Sequence, residues 1–264
     1  MYKVNFPSAN GGRVYGWYTK PAGPGPFPAL LVYSGIGNCP RPAPVEHARH
    51  GYAALDIQMH GNDVDLPVYQ GMPEPNYSSP ASFGDYAVYR NALQAARAIV
   101  ALPGVDASRV SSCGGSQGGR LAIIVAALMP HIRATIPAIA NFGYVPWLRW
   151  VERCNSQGET GAAGLRQSAL VHGQREMVES YYDCAHFAPH VKCPVLMNAA
   201  MIDSCSPITT VFAIYRQLTS PKSIVTLPNL AHDWSPYFDR YAWSWLADVL
   251  APRPASNERA LVSA

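Results

Sequence analysis

Charge is scarce in this sequence. Charged residues fill 14% of its 264 positions, and 20 basic side chains nearly cancel 17 acidic ones. The lysines and arginines are scattered, and no basic cluster carries interleaved aromatics, so nucleic acid is not an expected partner. Long apolar runs are missing as well. No stretch approaches the roughly twenty apolar residues that a membrane-spanning helix needs, so no membrane partner is expected. The opening residues, Met1-Tyr2-Lys3-Val4-Asn5-Phe6-Pro7, have neither the apolar core nor the cleavage site of a secretory signal. Cys39, Cys113, Cys154, Cys184, Cys193 and Cys205 show no paired spacing and no metal-ligand pattern. They read as mostly buried, reduced thiols of a cytoplasmic protein, with an exported form trimmed ahead of this numbering as the alternative. No internal repeat interrupts the chain.

Apolar residues supply 48% of the sequence, enough to bury a sizeable core in one domain over residues 1–251. Strand and helix patterns alternate along it. Arg13 to Lys20 reads as an antiparallel first strand, packing through Val14, Tyr15, Trp17 and Tyr18. A Pro/Gly turn at 21–28 leads to buried strands at Ala29–Tyr33 and Tyr52–Ile57. Asp85 to Leu102 carries a helical apolar stripe and stops at Pro103-Gly104. Strands follow at Arg109–Cys113, Ala134–Ile139, Pro194–Ala200 and Ser223–Leu227, with helices at Arg120–Met129, Ile208–Leu218 and Ser235–Leu250. Such alternation predicts an α/β fold, a mainly parallel central sheet with helices on both faces. Residues 141–183, rich in aromatics, are expected to form a partly helical insertion over it, and 252–264 a mobile polar tail.

The strongest chemical signal is Gly114-Gly115-Ser116-Gln117-Gly118-Gly119, between a strand pattern and a helix pattern. A serine on a sharp strand-to-helix turn between small residues is a nucleophile elbow. The turn forces the serine backbone into a strained conformation, and side chains on its neighbours would clash as the helix packs back. An elbow of this kind takes its partners in the order acid, then histidine. Asp203 lies just past the Pro194–Ala200 strand, and His232 just past the Ser223–Leu227 strand, both where parallel sheets present ligands. Ser116 would then attack an acyl carbon, His232 would move its proton, and Asp203 would hold the imidazole. Asp203 could instead cap the helix that starts near Pro207. Asp233 and Asp183 are competing acids, the first too close in sequence to His232 and the second before the penultimate strand. His47, His50, His131, His172, His186 and His190 show no partner pattern.

Several runs carry a resemblance. They are the helix from near Tyr86, Pro103-Gly104-Val105-Asp106-Ala107-Ser108-Arg109-Val110 with the elbow and its glutamine, and Val191-Lys192-Cys193-Pro194-Val195-Leu196-Met197 through Asp203 to Tyr215. In these the chain resembles the acetyl xylan esterase and cephalosporin-C deacetylase family, carbohydrate esterase family seven of the α/β-hydrolases, from about Pro28 to Leu250. The resemblance implies the α/β-hydrolase fold, a serine esterase with Ser116, Asp203 and His232 as its triad, and no cofactor or metal. It implies an oxyanion hole from the backbone N–H groups of Gln117 and Ile36, each donor worth roughly 3 kcal/mol of barrier. Substrates would be small acetylated molecules: sugars, short oligosaccharides or the antibiotic side chain. It also implies homo-oligomerisation into ring-shaped hexamers, an expectation weakened by a short N-terminus.

The chain departs from the family at informative places. Ser34-Gly35-Ile36 stands where the family has His-Gly-Tyr, keeping a backbone donor but losing the tyrosine ring. Gln58-Met59-His60-Gly61 replaces the stretch holding Arg-Gly-Gln, so a charged anchor is lost, and His60 either contacts substrate or fills the place of the glutamine. The usual His-Glu pair is His232-Asp233. Tyr144, Trp147, Trp150 and Trp234 either wall an acyl pocket or simply pack. The alternatives are a short-chain carboxylesterase on a non-carbohydrate ester, a peptidase-like hydrolase, a dienelactone-type hydrolase (whose elbow carries cysteine) and a non-catalytic binding module.

Overall fold

The computed structural model describes residues 1–8, 11–71, 74–149 and 173–251. Eight strands form one sheet in the order β1-β2-β4-β3-β5-β6-β7-β8. They are β1 (Tyr2–Pro7), β2 (Arg13–Thr19), β3 (Phe27–Tyr33), β4 (Ala53–Gln58), β5 (Val105–Gly115), β6 (Ile132–Ala138), β7 (Val195–Ala200) and β8 (Lys222–Leu227). β2 runs antiparallel to both β1 and β4, and every pairing from β4 through β3, β5, β6 and β7 to β8 is parallel. The helices are α1 (Val45–Arg49), α2 (Gly84–Ile99), α3 (Gln117–Leu128), α4 (Cys184–Phe187), α5 (Ile208–Gln217) and α6 (Pro236–Val249). This is the α/β-hydrolase fold that the resemblance implied. No helix among the described residues is long and apolar enough to cross a membrane.

Parallel strands covered on both faces have no wet side, which is why β4 and β7 are buried at every position. One layer packs α2, α3 and α5 against the sheet through Ala92, Ala96, Leu121, Ile124, Val211 and Ile214. The other closes α6 over Leu30, Ile136 and Leu196 through Phe238, Ala242 and Leu246.

β1, α1 and the four-residue α4 have no counterpart in the sequence analysis. β1 alternates as an edge strand should, with Val4 and Phe6 half-buried and Lys3 and Asn5 exposed. α1 is five residues long, too short for periodicity to announce it. Boundaries also moved. α2 ends at Ile99, not Leu102, because its last turn tightens into i+3 bonds from Ala101 to Ala98 and Leu102 to Ile99. In the insertion, 145–149 and 173–180 are helical. Residues 150–172 and 252–264, including Trp150, Cys154, His172 and the expected tail, lie outside the described residues.

A buried ion pair ties α2 to the helix behind the elbow. Arg120 Nη1 and Nη2 donate to Asp85 Oδ2 and Oδ1, both at 2.9 Å. The guanidinium also lies 4.7 Å from the Phe142 ring centroid and 5.4 Å from that of Tyr89. Removing one partner strands a charge in the core. Asp85→Ala is therefore expected to cost about 3–5 kcal/mol of stability, read by chemical denaturation.

Candidate active site

The sheet brings three loops to one edge. β5, β7 and β8 are parallel, so the segments after Gly115, Ala200 and Leu227 leave from the same side. Ser116 sits between β5 and α3 with φ 57° and ψ −119°, a conformation rare for a residue with a side chain. Its N–H donates to Ala138 O at 3.0 Å, which locks the turn to β6. The glycines have a steric cause. A Cβ on Gly118 would stand 1.9 Å from Tyr33 O, and one on Gly119 2.5 Å from Ala138 O. Both obstacles are sheet backbone, which cannot give way. Gly118→Ala is expected to lose about 3 kcal/mol or more, or to leave the protein insoluble, as read by soluble yield and thermal melting.

Asp203 is fully buried at its side chain, and His232 is partly open to solvent. Asp203 Oδ2 lies 2.8 Å from His232 Nδ1. Its other oxygen, Oδ1, accepts the N–H groups of Cys205 and Ser206, each at 2.8 Å. A carboxylate can only accept, so the ring proton belongs on Nδ1 and the Nε2 lone pair is left free. Two backbone bonds, Met201 N–H to Leu227 O and Ile202 N–H to Leu230 O, both 3.1 Å, stitch the aspartate loop to the histidine loop.

The other candidate acids have other work. α5 starts at Ile208, and its N-cap, Pro207, brings no side-chain cap, so Asp203 does not cap it. Asp183 caps α4 through the N–H of Ala185 and also accepts the N–H groups of Tyr144 and Val145. That holds a loop with three more positive-φ residues, Ile139, Phe142 and Tyr144. Asp233 is exposed and accepts the N–H of Trp234.

The turn after β3 faces the elbow. A Cβ on Gly35 would lie 3.7 Å from Ser116 Cβ and 3.6 Å from Gly115 O. Ile36 follows it with its side chain about half exposed. Gln117 is the first residue of α3, where a helix leaves its backbone N–H groups unpaired and its dipole positive. Trp234 lies across Gly115, its ring carbon 3.8 Å from the glycine's would-be Cβ, and its indole N–H is held by Asp239. Tyr144 is half exposed and Trp147 half-buried on the neighbouring loop.

His60 lies behind this rim. Its Nδ1 is 2.9 Å from the Tyr69 hydroxyl, and it faces the Gln117 side chain. Neither His60 Nε2 nor either Gln117 amide atom has a partner at ordinary hydrogen-bond geometry. Burial pushes the imidazole down to about 4, against the Asp85 carboxylate, which favours its charged form. His47, packed edge-on against Trp243, is likewise pushed down to about 4 by burial. A base whose folded pKa is lowered contributes stability above its unfolded value of 6.5, and that stability is lost as the pH falls toward 4. Melting temperature is thus expected to drop through this acid window, and to drop less in His47→Gln. An unchanged slope would rule out His47 as a source.

Other bonds hold the stretch around Gln58, where the family's arginine is absent. Arg41 forms a buried ion pair with Asp56 on β4, and Gln58 Nε2 donates to Asn38 O. Of the remaining histidines, His131 and His186 bind backbone carbonyls and His50 stacks on Trp243. Sequence reasoning missed Asp85, Arg41 and Asn198, whose Oδ1 accepts the N–H of Ile139 at 2.7 Å. A lone arginine or asparagine inside an apolar segment, as at Arg120 and Asn198, was the available signal.

Residues 1–249 match the family model "Acetyl xylan esterase (AXE1)". The acetyl esterase Axe7A of Xylanibacter ruminicola is 25% identical over 248 residues, which cover 83% of this chain and 52% of that protein. The chain thus spans about half the length of that curated relative. Among solved structures, an acetyl xylan esterase from Paenibacillus sp. R4 superposes with a TM-score of 0.77 at 27% identity, covering 94% of this chain and 83% of that one. Acetyl xylan esterase 1 from Thermoanaerobacterium sp. JW/SL YS485 gives 0.77 at 22% identity over the same shares, a likeness of fold. With a family model spanning nearly all of it, the chain belongs to the acetyl xylan esterase family.

Proposed function

We propose that the protein is a serine esterase that removes acetyl and other small acyl groups from acetylated sugars, xylan-type oligosaccharides or related small molecules. The observation that carries this reading is the 2.8 Å bond between His232 Nδ1 and Asp203 on the sheet edge where the strained Ser116 sits. Ser116 Oγ attacks the ester carbonyl as His232 Nε2 takes its proton. The tetrahedral oxyanion rests on the N–H groups of Gln117 and Ile36, and the protonated imidazole then delivers its proton to the leaving alkoxide. A water activated by the same ring releases the carboxylic acid. None of these steps calls for a cofactor or metal.

Trp234, Tyr144 and Trp147 are the candidate substrate contacts at the rim, aromatic faces suited to a sugar ring or a short acyl chain. His60, buried beside Gln117 and held by Tyr69, fills the space behind the oxyanion turn. The exposed apolar residues around the site, Ile36, Met201 and Ile202 on its loops and Tyr237 on the first turn of α6, support association of copies. A second reading, a short-chain carboxylesterase on a non-carbohydrate ester, is favoured by the apolar Ile36 at the mouth.

The test is hydrolysis of p-nitrophenyl acetate, butyrate and octanoate, beside acetylated xylose and cephalosporin C. Strong acetate preference together with sugar deacetylation is the expected result. Acetate preference without sugar turnover would select the second reading, and octanoate as the best substrate would discard both.

A further inference from the structure

The aspartate loop carries a thiol for which neither the fold nor the proposed reaction has a use. Cys205 is free and exposed, two residues beyond Asp203. Its Sγ, a ring nitrogen of His232 and a carboxylate oxygen of Asp203 all lie within 4.8 Å of one another. Among the described residues, no other group of histidine, cysteine and carboxylate ligands is gathered this closely. We infer that Cys205, His232 and Asp203 form a binding site for a thiophilic divalent cation of the zinc class, and that its occupation switches the esterase off. The inhibitory half of this inference rests on the reading of His232 as the general base.

The donor set is the first argument. One thiolate, one imidazole and one carboxylate suit zinc or cadmium and suit magnesium or calcium poorly. Distance is the second. Bonds of about 2.0–2.3 Å place tetrahedral ligands roughly 3.3–3.8 Å apart, so the sulfur must draw in from a separation of up to 4.8 Å, while Oδ2 and Nδ1, now 2.8 Å apart, open by roughly half an ångström. Rotation of the exposed Cys205 side chain about χ1 can supply the first movement, and exchange of the hydrogen bond for two metal bonds the second. The third argument is anchoring. Two backbone N–H groups hold Asp203 Oδ1, leaving Oδ2 as the oxygen that already faces the ring. Cys205 and His232 open the site to solvent, so a cation can enter and keep water in its fourth position.

Binding takes one proton from the Cys205 thiol to solvent as the sulfur–metal bond forms. With Asp203 Oδ2 as a ligand, the metal takes Nδ1, the ring nitrogen that oxygen already faces. The ring proton then relocates to Nε2, the imidazole faces Ser116 as a donor, and the base is removed. By mass action, metal at one hundred times its Kd would lower turnover about a hundredfold.

The test uses the full chain stripped with a chelator and titrated with Cd2+, followed by its ultraviolet thiolate-to-metal absorbance, with p-nitrophenyl acetate turnover measured in parallel. Zn2+ is the second probe. Expected is one equivalent bound, activity lost, and both reversed by EDTA. In Cys205→Ser, which keeps the backbone N–H to Asp203, the absorbance and the metal sensitivity should vanish while metal-free turnover persists. Absorbance that survives in Cys205→Ser, or wild-type turnover indifferent to bound metal, would overturn the inference. Should the protein lack Ser116-dependent activity altogether, the esterase reading fails, and the titration still reports on the site.

Discussion

Ser116→Ala is expected to lower kcat on p-nitrophenyl acetate by at least about a thousandfold and toward a millionfold, with the fold intact. The size of the loss follows from what alanine leaves behind. The Asp203–His232 pair and the turn donors remain, and they can still polarise a carbonyl for attack by water. No acyl-enzyme can form, so the reaction loses its low-barrier route. Stability should change little, because Ser116 holds its turn through backbone atoms, its N–H to Ala138 O and its O to Arg120 N–H. Circular dichroism and melting temperature check that half of the prediction. Residual turnover above about a thousandth of wild type would move the nucleophile elsewhere.

Asp203→Asn should cost about ten-thousandfold in kcat with a much smaller effect on KM. The local hydrogen bonds give the reason. Cys205 and Ser206 N–H groups both point at Oδ1, so they demand an acceptor there. An asparagine satisfies them with its carbonyl oxygen, which turns its NH2 group toward His232 Nδ1. The imidazole must then accept at Nδ1 and carry its proton on Nε2, where it cannot take one from Ser116. The geometry survives while the tautomer is wrong. A loss of less than about a hundredfold would show that Asp203 is not orienting the ring.

Much of this was legible because it is local. Gly114 to Gly119 between a strand and a helix defines the elbow from sequence, since only glycine fits where Tyr33 O and Ala138 O press against the turn. β7 and β8 are short apolar runs, so the positions of Asp203 and His232 just past them could be read directly. The boundaries of α2 and β5 were less legible, because the chain around Gly104 turns through i+3 bonds that no periodicity signals. β1 carries a faint two-residue alternation, easily lost in six residues with one strand partner.

The sequence alone determined the strand–helix alternation, the elbow, and which acid and histidine follow which strands, because hydrophobic period and turn chemistry act between near neighbours. Tertiary structure decided the rest. It buried Asp203 beside His232 and set Asp183 under Tyr144 and Val145. It paired Arg41 with Asp56, paired Arg120 with Asp85 across 35 residues, and laid Trp234 over Gly115. It also gathered Cys205 with His232 and Asp203, which no spacing in the chain announced. Such pairings depend on which loops the sheet order brings to one edge, and that order is a property of the packed core.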